Sequence, residues 1–383
     1  LVIELIEKLC LIPNNIEMAK STRVPMGWLL LKGQQCKVFS QIVYEARLRN
    51  YVVPAGLSDE LNTEEDEDKF KGATVLTAMK GAYFEAVAGL DFKSLYPSIM
   101  IAHNMCHSTI VTDEKYMNLP GIEYKIVEWE EGGPNDPDSS GNITPIKKFK
   151  YTFVQSESLK GIMPDILERL WSERNSTKKD MKKEFKKCFE INGKGCKGCQ
   201  YCFRGKVYNG KQLAIKVTMN SIYGFCGATK GMLPCRPIAA SVTAVGRELI
   251  AETSKTAQEM YDCTTVYGDT DSCYVKFNVD KSVYPEENGA YMKEVFRLSE
   301  ECADRITALF KKPIELEFEK VMCPFILYTK KRYAYLEWTN AESPDGVEYK
   351  GLQIIRRDTC NYVKKACDKM LNIVLREQNV NKA

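Results

Sequence analysis

Apolar side chains recur at the spacing of an α-helix in several long segments of the chain. Ile162, Ile166 and Leu170 lie four residues apart and therefore share one helix face. The helix that they predict becomes strongly basic in its second half. Helices are predicted over residues 1–50, 162–187, 206–223, 237–261 and 287–311.

Shorter segments have the composition of β-strands and carry acidic residues. VAGLDF (87–92) is apolar as far as Asp91, and TTVYGDTDSCYVKF (264–277) has β-formers on both sides of a turn. Further strands are predicted over 314–338. Together these patterns indicate an α+β fold whose helices are grouped in the middle of the chain. Exposed loops are predicted for DELNTEEDEDKFK (59–71) and EEGGPNDPDSSGN (130–142).

The composition is that of an ordinary globular chain. Of 383 residues, 44% are hydrophobic and 27% are charged, and the net charge is only +3. Any nucleic-acid binding must therefore come from local patches. Fifteen cysteines without a secretory segment favour a reducing, intracellular compartment, and no apolar run has the length of a membrane span.

The paired carboxylates of Asp269 and Asp271 require an explanation, because like charges this close repel each other. A cation shared with a third carboxylate would remove the repulsion, and Asp91 at the end of an apolar strand is a candidate. Taken alone, Asp91 also fits a helix cap or the start of a turn.

Three segments, taken in order, resemble the polymerase signatures of the B-family DNA polymerases. They are DFKSLYPSI (91–99), KVTMNSIYG (216–224) and YGDTDS (267–272). The nearest likeness is to the delta-type replicative enzymes and their relatives in large DNA viruses, and it covers nearly the whole chain. Longer similar segments are GQQCKVFSQIVYEARL (33–48), GIMPDILERLW (161–171), KKRYAYLEW (330–338) and KGLQIIRRDTC (350–360).

The resemblance implies an antiparallel palm sheet with flanking helices, helical-hairpin fingers and the beginning of a thumb. It implies a DNA-directed DNA polymerase that adds deoxynucleotides to a primer 3′-hydroxyl on a DNA template. The expected parts are a helical start (1–55), palm (56–160), fingers with a Cys-rich tip (161–224), palm again (225–344) and a truncated thumb (345–383).

Two Mg²⁺ ions are the implied cofactors, because two metal ions can activate the attacking oxygen and stabilise the leaving one. Mg²⁺ takes oxygen ligands, which suits a chain with only two histidines. By the resemblance, the catalytic residues are Asp91, Asp269 and Asp271. Asp91 and Asp271 bridge the metals, the backbone carbonyl of Phe92 helps to hold one of them, and Asp269 acts less directly.

The nucleotide-binding residues implied by the resemblance come from two regions. Backbone amides around Ser94 and Leu95 meet the triphosphate, and the ring of Tyr96 excludes a 2′-hydroxyl. The remaining residues lie on the two finger helices, where Lys216, Asn220 and Tyr223 share a face. The other lysines of 178–187 are interpreted as a solvated helix face. The set is Ser94, Leu95, Tyr96, Arg174, Lys178, Lys216, Asn220 and Tyr223.

The predicted DNA-binding residues are cationic or aromatic. KKRY (330–333) places three cations beside an aromatic ring, as expected for phosphate contacts that do not read sequence. FKGATV (70–75) resembles the family's template-tracking stretch, with Phe70 in place of the usual Tyr. The set is Phe70, Gly72, Lys330, Lys331, Arg332 and Tyr333.

CFEINGKGCKGCQYC (188–202) departs from the family pattern, which has a short turn between the finger helices. Cys196, Cys199 and Cys202 follow a C-x2-C-x2-C spacing, with Cys188 upstream. A tetrathiolate Zn²⁺ site, an iron–sulfur site and a lineage-specific insertion with free thiols are the three interpretations.

The implied partners are primer–template DNA, dNTPs and, through regions missing here, a sliding clamp, with no membrane. We expect the intact protein to carry a 3′–5′ proofreading exonuclease before this piece. The location would be the nucleus or, for a viral enzyme, the host nucleus or a cytoplasmic replication site. The insertion favours a viral source. A catalytically inactive DNA-binding scaffold and a two-metal nuclease are the competing interpretations.

Overall fold

A computed structural model describes residues 1–54, 72–73, 76–133, 145–193, 196, 198–228, 231–287 and 289–383. The chain divides into two compact units, Leu1–Gly72 with Ile99–Ala244 and Ala73–Ser98 with Val245–Ala383. Within the described residues, no helix has the length and apolar character needed to cross a membrane.

The structure is mixed α+β, as the sequence predicts. The helices are α1 (Val2–Lys8), α2 (Leu11–Thr22), α3 (Met26–Leu31), α4 (Gln34–Leu48), α5 (Leu95–Ala102), α6 (Ile162–Asn192), α7 (Gln200–Gly227), α8 (Arg236–Met260), α9 (Ala290–Thr307) and α10 (Asn361–Glu377). The strands are β1 (Gly81–Tyr83), β2 (Val87–Phe92), β3 (Ile110–Val111), β4 (Tyr124–Glu131), β5 (Lys147–Val154), β6 (Cys263–Asp269), β7 (Ser272–Phe277), β8 (Leu316–Thr329), β9 (Arg332–Trp338) and β10 (Gly346–Lys350).

The first unit contains a long antiparallel pair formed by α6 and α7. Near one end of the pair, the sulfur atoms of Met163 and Cys226 are 3.7 Å apart. Near the other end, Cys188 lies beside Cys202. The apolar face predicted for α6 is buried from Ile162 to Leu170. Most of the helix after Leu170 is not buried, which explains why that part is polar.

A small antiparallel sheet in the first unit has the strand order β3-β5-β4. The sequence analysis did not predict it, and Glu130 and Glu131, expected in a loop, end β4. Residues 134–142 of that predicted loop lie outside the described part. The strands are joined by cross-strand ion pairs of Glu128 with Lys150 (2.8 Å) and Glu130 with Lys148 (2.9 Å).

The second unit is built on an antiparallel sheet with the order β10-β9-β8-β2-β7-β6, and β1 pairs with β8. Strand β2 lies inside the sheet between β7 and β8, so most of its residues are buried. This burial is the reason why its sequence is almost entirely apolar. Helix α9 packs against β2 and β8. This arrangement leaves the carboxyl end of β2 beside the β6–β7 turn.

Most predicted helices and strands are confirmed, although their observed ends differ from the predicted ends by a few residues. Residues 1–50 are helical but divide into four helices. Helix α6 begins at Ile162 as predicted, and α7 is longer than expected at both ends. Residues 95–102 form a helix that the sequence analysis did not predict, and Pro97 occupies its first turn, where a missing N–H costs nothing.

Candidate active site

The register of the second unit's sheet brings the three predicted carboxylates together. Asp91 near the end of β2 lies opposite Ser272 on β7, and Asp269 at the end of β6 lies opposite the same residue. Asp271 occupies the turn between β6 and β7. Its backbone carbonyl accepts a hydrogen bond from the N–H of Phe92 at 2.8 Å. All three carboxylates line one pocket of about 400 Å³.

The β6–β7 turn holds the two neighbouring carboxylates in a fixed arrangement. Thr270 has a φ of +61°, in the left-handed region that a β-branched residue rarely adopts. Its hydroxyl donates to Asp269 Oδ1 at 3.1 Å, and the N–H of Asp271 donates to the Asp269 carbonyl at 2.6 Å. Backbone conformations of this kind persist only where the surroundings impose them, and they cluster at functional sites.

Lys331, predicted to contact DNA, also reaches this pocket. Its Nζ lies 2.9 Å from Asp269 Oδ1, while its backbone N–H donates to the hydroxyl of Tyr267 at 2.8 Å. Lys331 is in the β8–β9 turn, again with a φ of +61°. The ammonium group therefore balances the charge of Asp269, the carboxylate for which the family resemblance implies a less direct role.

Buried tyrosines lie beneath the pocket and connect the two hairpins. Tyr267 on β6, Tyr274 on β7 and Tyr333 on β9 pack edge to face, with ring centroids 5.5 to 6.0 Å apart. The hydroxyls of Tyr274 and Tyr333 are 2.9 Å apart, and burial raises the pKa of Tyr267 to about 12. Tyr333 is only 8% exposed, so of the KKRY segment it is the member that fixes the hairpin position.

Lys320 belongs to the pocket but was missed by the sequence analysis. Its Nζ lies 3.1 Å from the Tyr335 hydroxyl and 3.1 Å from Glu337 Oε1. Burial by itself lowers the pKa of Lys320, but these neighbours and Glu319 outweigh it and raise the pKa above its usual value. A lysine within a strand carries little sequence signal, because only the register shows that its side chain faces the carboxylates.

The segment after Asp91 places Tyr96 within electrostatic range of the same pocket. Ser94 has a φ of +51° and its carbonyl accepts the N–H of Ser98 at 3.0 Å, so the chain turns sharply into α5. Leu95 is buried and Tyr96 is half-buried. Burial, then the charge of Asp271, raises the pKa of Tyr96, and Arg247 opposes this shift. Arg247 was not among the predicted residues.

The cations predicted to bind nucleotide lie on the helical pair of the first unit. Arg174 Nε donates to Gln212 Oε1 across the pair at 3.4 Å. Lys216 and Asn220 are exposed on α7, whereas Lys178 and Tyr223 are half-exposed. Gln212, missed by the sequence analysis, is buried one turn before Lys216, and the only sequence signal was a polar residue four positions before that lysine.

The residues predicted to contact DNA differ in their placement. Lys330, Lys331 and Arg332 are exposed around the β8–β9 turn, and Gly72 is exposed with open space around its Cα. Phe70 lies outside the described residues. The exposed cations of this set are therefore the three in the β8–β9 turn, and they lie in the second unit with the carboxylates.

The donor set of the pocket fits a hard divalent cation. Asp91, Asp269 and Asp271 offer carboxylate oxygens, the ligands that Mg²⁺ prefers. Lys320 and Lys331 offset part of the negative charge that would otherwise accumulate there. The fold and the site thus define an α+β protein with a pocket lined by three carboxylates, which are ligands of the type that divalent metal ions prefer.

Comparison with known proteins agrees with that class. The family model for DNA polymerase family B matches residues 24–383. The chain is 37% identical to the DNA polymerase delta catalytic subunit of Candida albicans over 100% of its own length and 33% of that protein. It is 39% identical to the delta catalytic subunit of Oryza sativa subsp. japonica, over 98% of this chain and 30% of that one.

A viral protein is similar to the same degree. The DNA polymerase of Paramecium bursaria Chlorella virus NY2A is 38% identical over 97% of this chain and 37% of the viral protein. The chain therefore spans about a third of the length of these relatives. It belongs to DNA polymerase family B.

Proposed function

We propose that the chain carries the polymerising site of a DNA-directed DNA polymerase. The reaction is the template-dependent addition of deoxynucleotides to a primer 3′-hydroxyl. The observation that supports it best is the shared pocket of Asp91, Asp269 and Asp271. Family membership and the names of the similar proteins agree with this reaction class.

In this proposal, Asp91 and Asp271 hold two Mg²⁺ ions, with help from the carbonyl of Phe92. When bound, the ions would lower the barrier by stabilising negative charge on the attacking and leaving oxygens. Asp269 keeps the turn and Lys331 in position, which its contacts with Thr270 and Lys331 support.

The cations of the helical pair would bind the incoming dNTP. Arg174, Lys178 and Lys216 would contact its phosphates, because Lys and Arg donors stabilise charge on a transferring phosphoryl group. Asn220 would support these cations, and Tyr223 would lie near the new base pair. Ser94 and Leu95 would offer backbone amides to the triphosphate, and Tyr96 would pack beneath the deoxyribose.

The cations of the β8–β9 turn would hold primer–template DNA through its phosphates, with Tyr333 fixing the turn. Phe70 and Gly72 would contact the template strand. We assign the strands β1, β2 and β6 to β9 of the second unit's sheet to a palm, the α6–α7 pair to fingers and residues 345–383, which include the edge strand β10, to the start of a thumb. We also propose a role in DNA replication at a nuclear or viral replication site, with proofreading and clamp binding in the intact protein.

Primer extension tests the polymerase assignment. The chain is incubated with Mg²⁺, single dNTPs and four primer–templates that differ in the first template base. Addition of only the complementary nucleotide, lost with a chelator, is the expected result. Binding of primer–template without any extension would favour the inactive scaffold, and shortening of the DNA without nucleotide addition would favour the nuclease.

Changing Tyr96 tests the proposed contact with the sugar. Tyr96→Ala should raise the use of ribonucleotides relative to deoxynucleotides by about 10²-fold, because removing the ring leaves room for a 2′-hydroxyl. Tyr96→Phe keeps the ring and should retain the discrimination. Single-nucleotide incorporation with dNTP and rNTP measures the ratio, and an unchanged ratio in Tyr96→Ala would contradict the role.

Changing Lys331 separates its two possible partners, DNA phosphate and Asp269. Lys331→Ala should weaken duplex binding and make the slope of log affinity against log salt shallower by about 0.9, the value for one lost phosphate contact. Lys293→Ala, which removes an exposed lysine of α9, is the matched control. An unchanged salt slope would mean that Lys331 serves only the carboxylate pocket.

A further inference from the structure

A second potential metal site lies at the far end of the helical pair, within the first unit. Cys188 is in the last turns of α6, Cys199 is the N-cap of α7 and Cys202 is in its first turn. Cys196 lies in the connection. Their four sulfur atoms are all within 4.8 Å of one another, and in the described part of the chain this is the one such group of potential metal ligands.

The sulfur separations are too long for covalent bonds, and the longer of the two is close to the spacing around a shared ion. Cys188 Sγ lies 2.9 Å from Cys202 Sγ and 3.5 Å from Cys199 Sγ. A disulfide would bring two sulfurs to about 2.05 Å. Four thiolates around Zn²⁺, each about 2.3 Å from the ion, lie about 3.8 Å apart. Across the described residues, all the cysteines are free of disulfides.

A backbone N–H at the start of α7 is directed at one of the four sulfur atoms. Cys199 Sγ accepts a hydrogen bond from the N–H of Cys202 at 3.3 Å, at the positive end of a 28-residue helix. Cys188 and Cys202 are each 6% exposed, while Cys196 and Cys199 are half-exposed. The group is therefore buried enough to be rigid and open enough on one side to admit an ion.

We propose that Cys188, Cys196, Cys199 and Cys202 bind one structural Zn²⁺. Four thiols each lose a proton and four Zn–S bonds form, with no change in oxidation state. The ion has all four positions filled by protein, so it has no open position for chemistry. An iron–sulfur cluster would need the thiolates spread further apart, around the iron and sulfide ions.

The ion would join the end of α6 to the start of α7, across the connection between them. At the opposite end of the helical pair, buried apolar side chains around Met163 and Cys226 hold the two helices together. At the tip, Phe185, Phe189 and Phe203 remain exposed, so apolar burial contributes less there. Metal binding supplies the stability that this end lacks.

Metal analysis of the full 383-residue chain, purified under reducing conditions without chelator, tests the proposal. About one zinc per chain is expected, and both Cys196→Ser and Cys199→Ser should lose it. Cys36→Ser, which changes another half-exposed cysteine, should retain it. Far-UV circular dichroism of the three variants distinguishes loss of the ion from loss of the fold.

Cobalt substitution gives a readout that needs no variant. Co²⁺ added to the zinc-depleted chain should produce the visible absorption of a tetrahedral tetrathiolate at one equivalent, and Zn²⁺ should remove it. Absence of both zinc and this absorption would overturn the proposal. So would iron with acid-labile sulfide in the purified chain, or a Cys188–Cys202 disulfide found by mass spectrometry under reducing purification.

Discussion

Asp271→Asn should reduce primer extension by on the order of 10³-fold while leaving duplex binding nearly unchanged. Asparagine preserves the size of the side chain and the backbone carbonyl that accepts the N–H of Phe92. It removes the negative charge that the proposed metal site requires, so the loss should fall on the rate of nucleotide addition. Single-turnover extension at saturating primer–template measures that rate.

The matched control is Asp262→Asn, at the opposite end of the same β6–β7 hairpin. Asp262 is exposed, and Asn278 donates to its carboxylate at 2.7 Å, a hydrogen bond that an asparagine carbonyl can also accept. This variant should extend primers at the wild-type rate. Equal activity of Asp271→Asn and wild type would refute the metal role of Asp271.

Lys216→Ala should lower kcat/KM for dNTP incorporation by on the order of 10²-fold, because a cation is lost where phosphate charge develops. Lys216 is exposed on α7, so its removal should leave the free energy of unfolding within about 0.5 kcal/mol of wild type. Incorporation rates over a range of dNTP concentrations separate a change in KM from a change in kcat.

Lys206→Ala is the control for this second prediction, since Lys206 is also an exposed lysine of α7 but lies on a different face from Lys216. It should keep the wild-type kcat/KM. If both substitutions lower kcat/KM by the same small factor, the lysines of α7 act only through the overall positive charge of the helix. The specific phosphate contact proposed for Lys216 would then be wrong.

The inner strands of the second unit's sheet were predictable because their own residues mark them, whereas the edge strands β1 and β10 were not predicted. Strand β2 is apolar since it lies between two neighbours, and the β6–β7 hairpin has a short turn between runs of β-formers. The β4–β5 sheet was missed because its strands carry charges that are balanced only across the pair, as in Glu128 with Lys150. A single strand does not show its partner's charge.

The same limit explains the pocket residues that were missed. Asp91, Asp269 and Asp271 stand in recognisable motifs, so the sequence predicted them, and the structure places them in one pocket. Lys320 has no motif, and it faces the pocket because β8 pairs with β2 and β9 in one particular register. Likewise, Tyr333 was predicted from KKRY as a DNA contact, but its burial against Tyr267 and Tyr274 depends on the packing of two hairpins.

The sequence by itself determined the family and most of the long helices and inner strands, and it predicted the three carboxylates, because motifs and periodicity are local properties of the chain. The tertiary structure decided which charges meet. It placed Lys331 beside Asp269 and gathered Cys188 with Cys196, Cys199 and Cys202 at the tip of the helical pair. Distances between residues far apart in sequence follow from strand register and helix packing, and short segments do not encode either one alone.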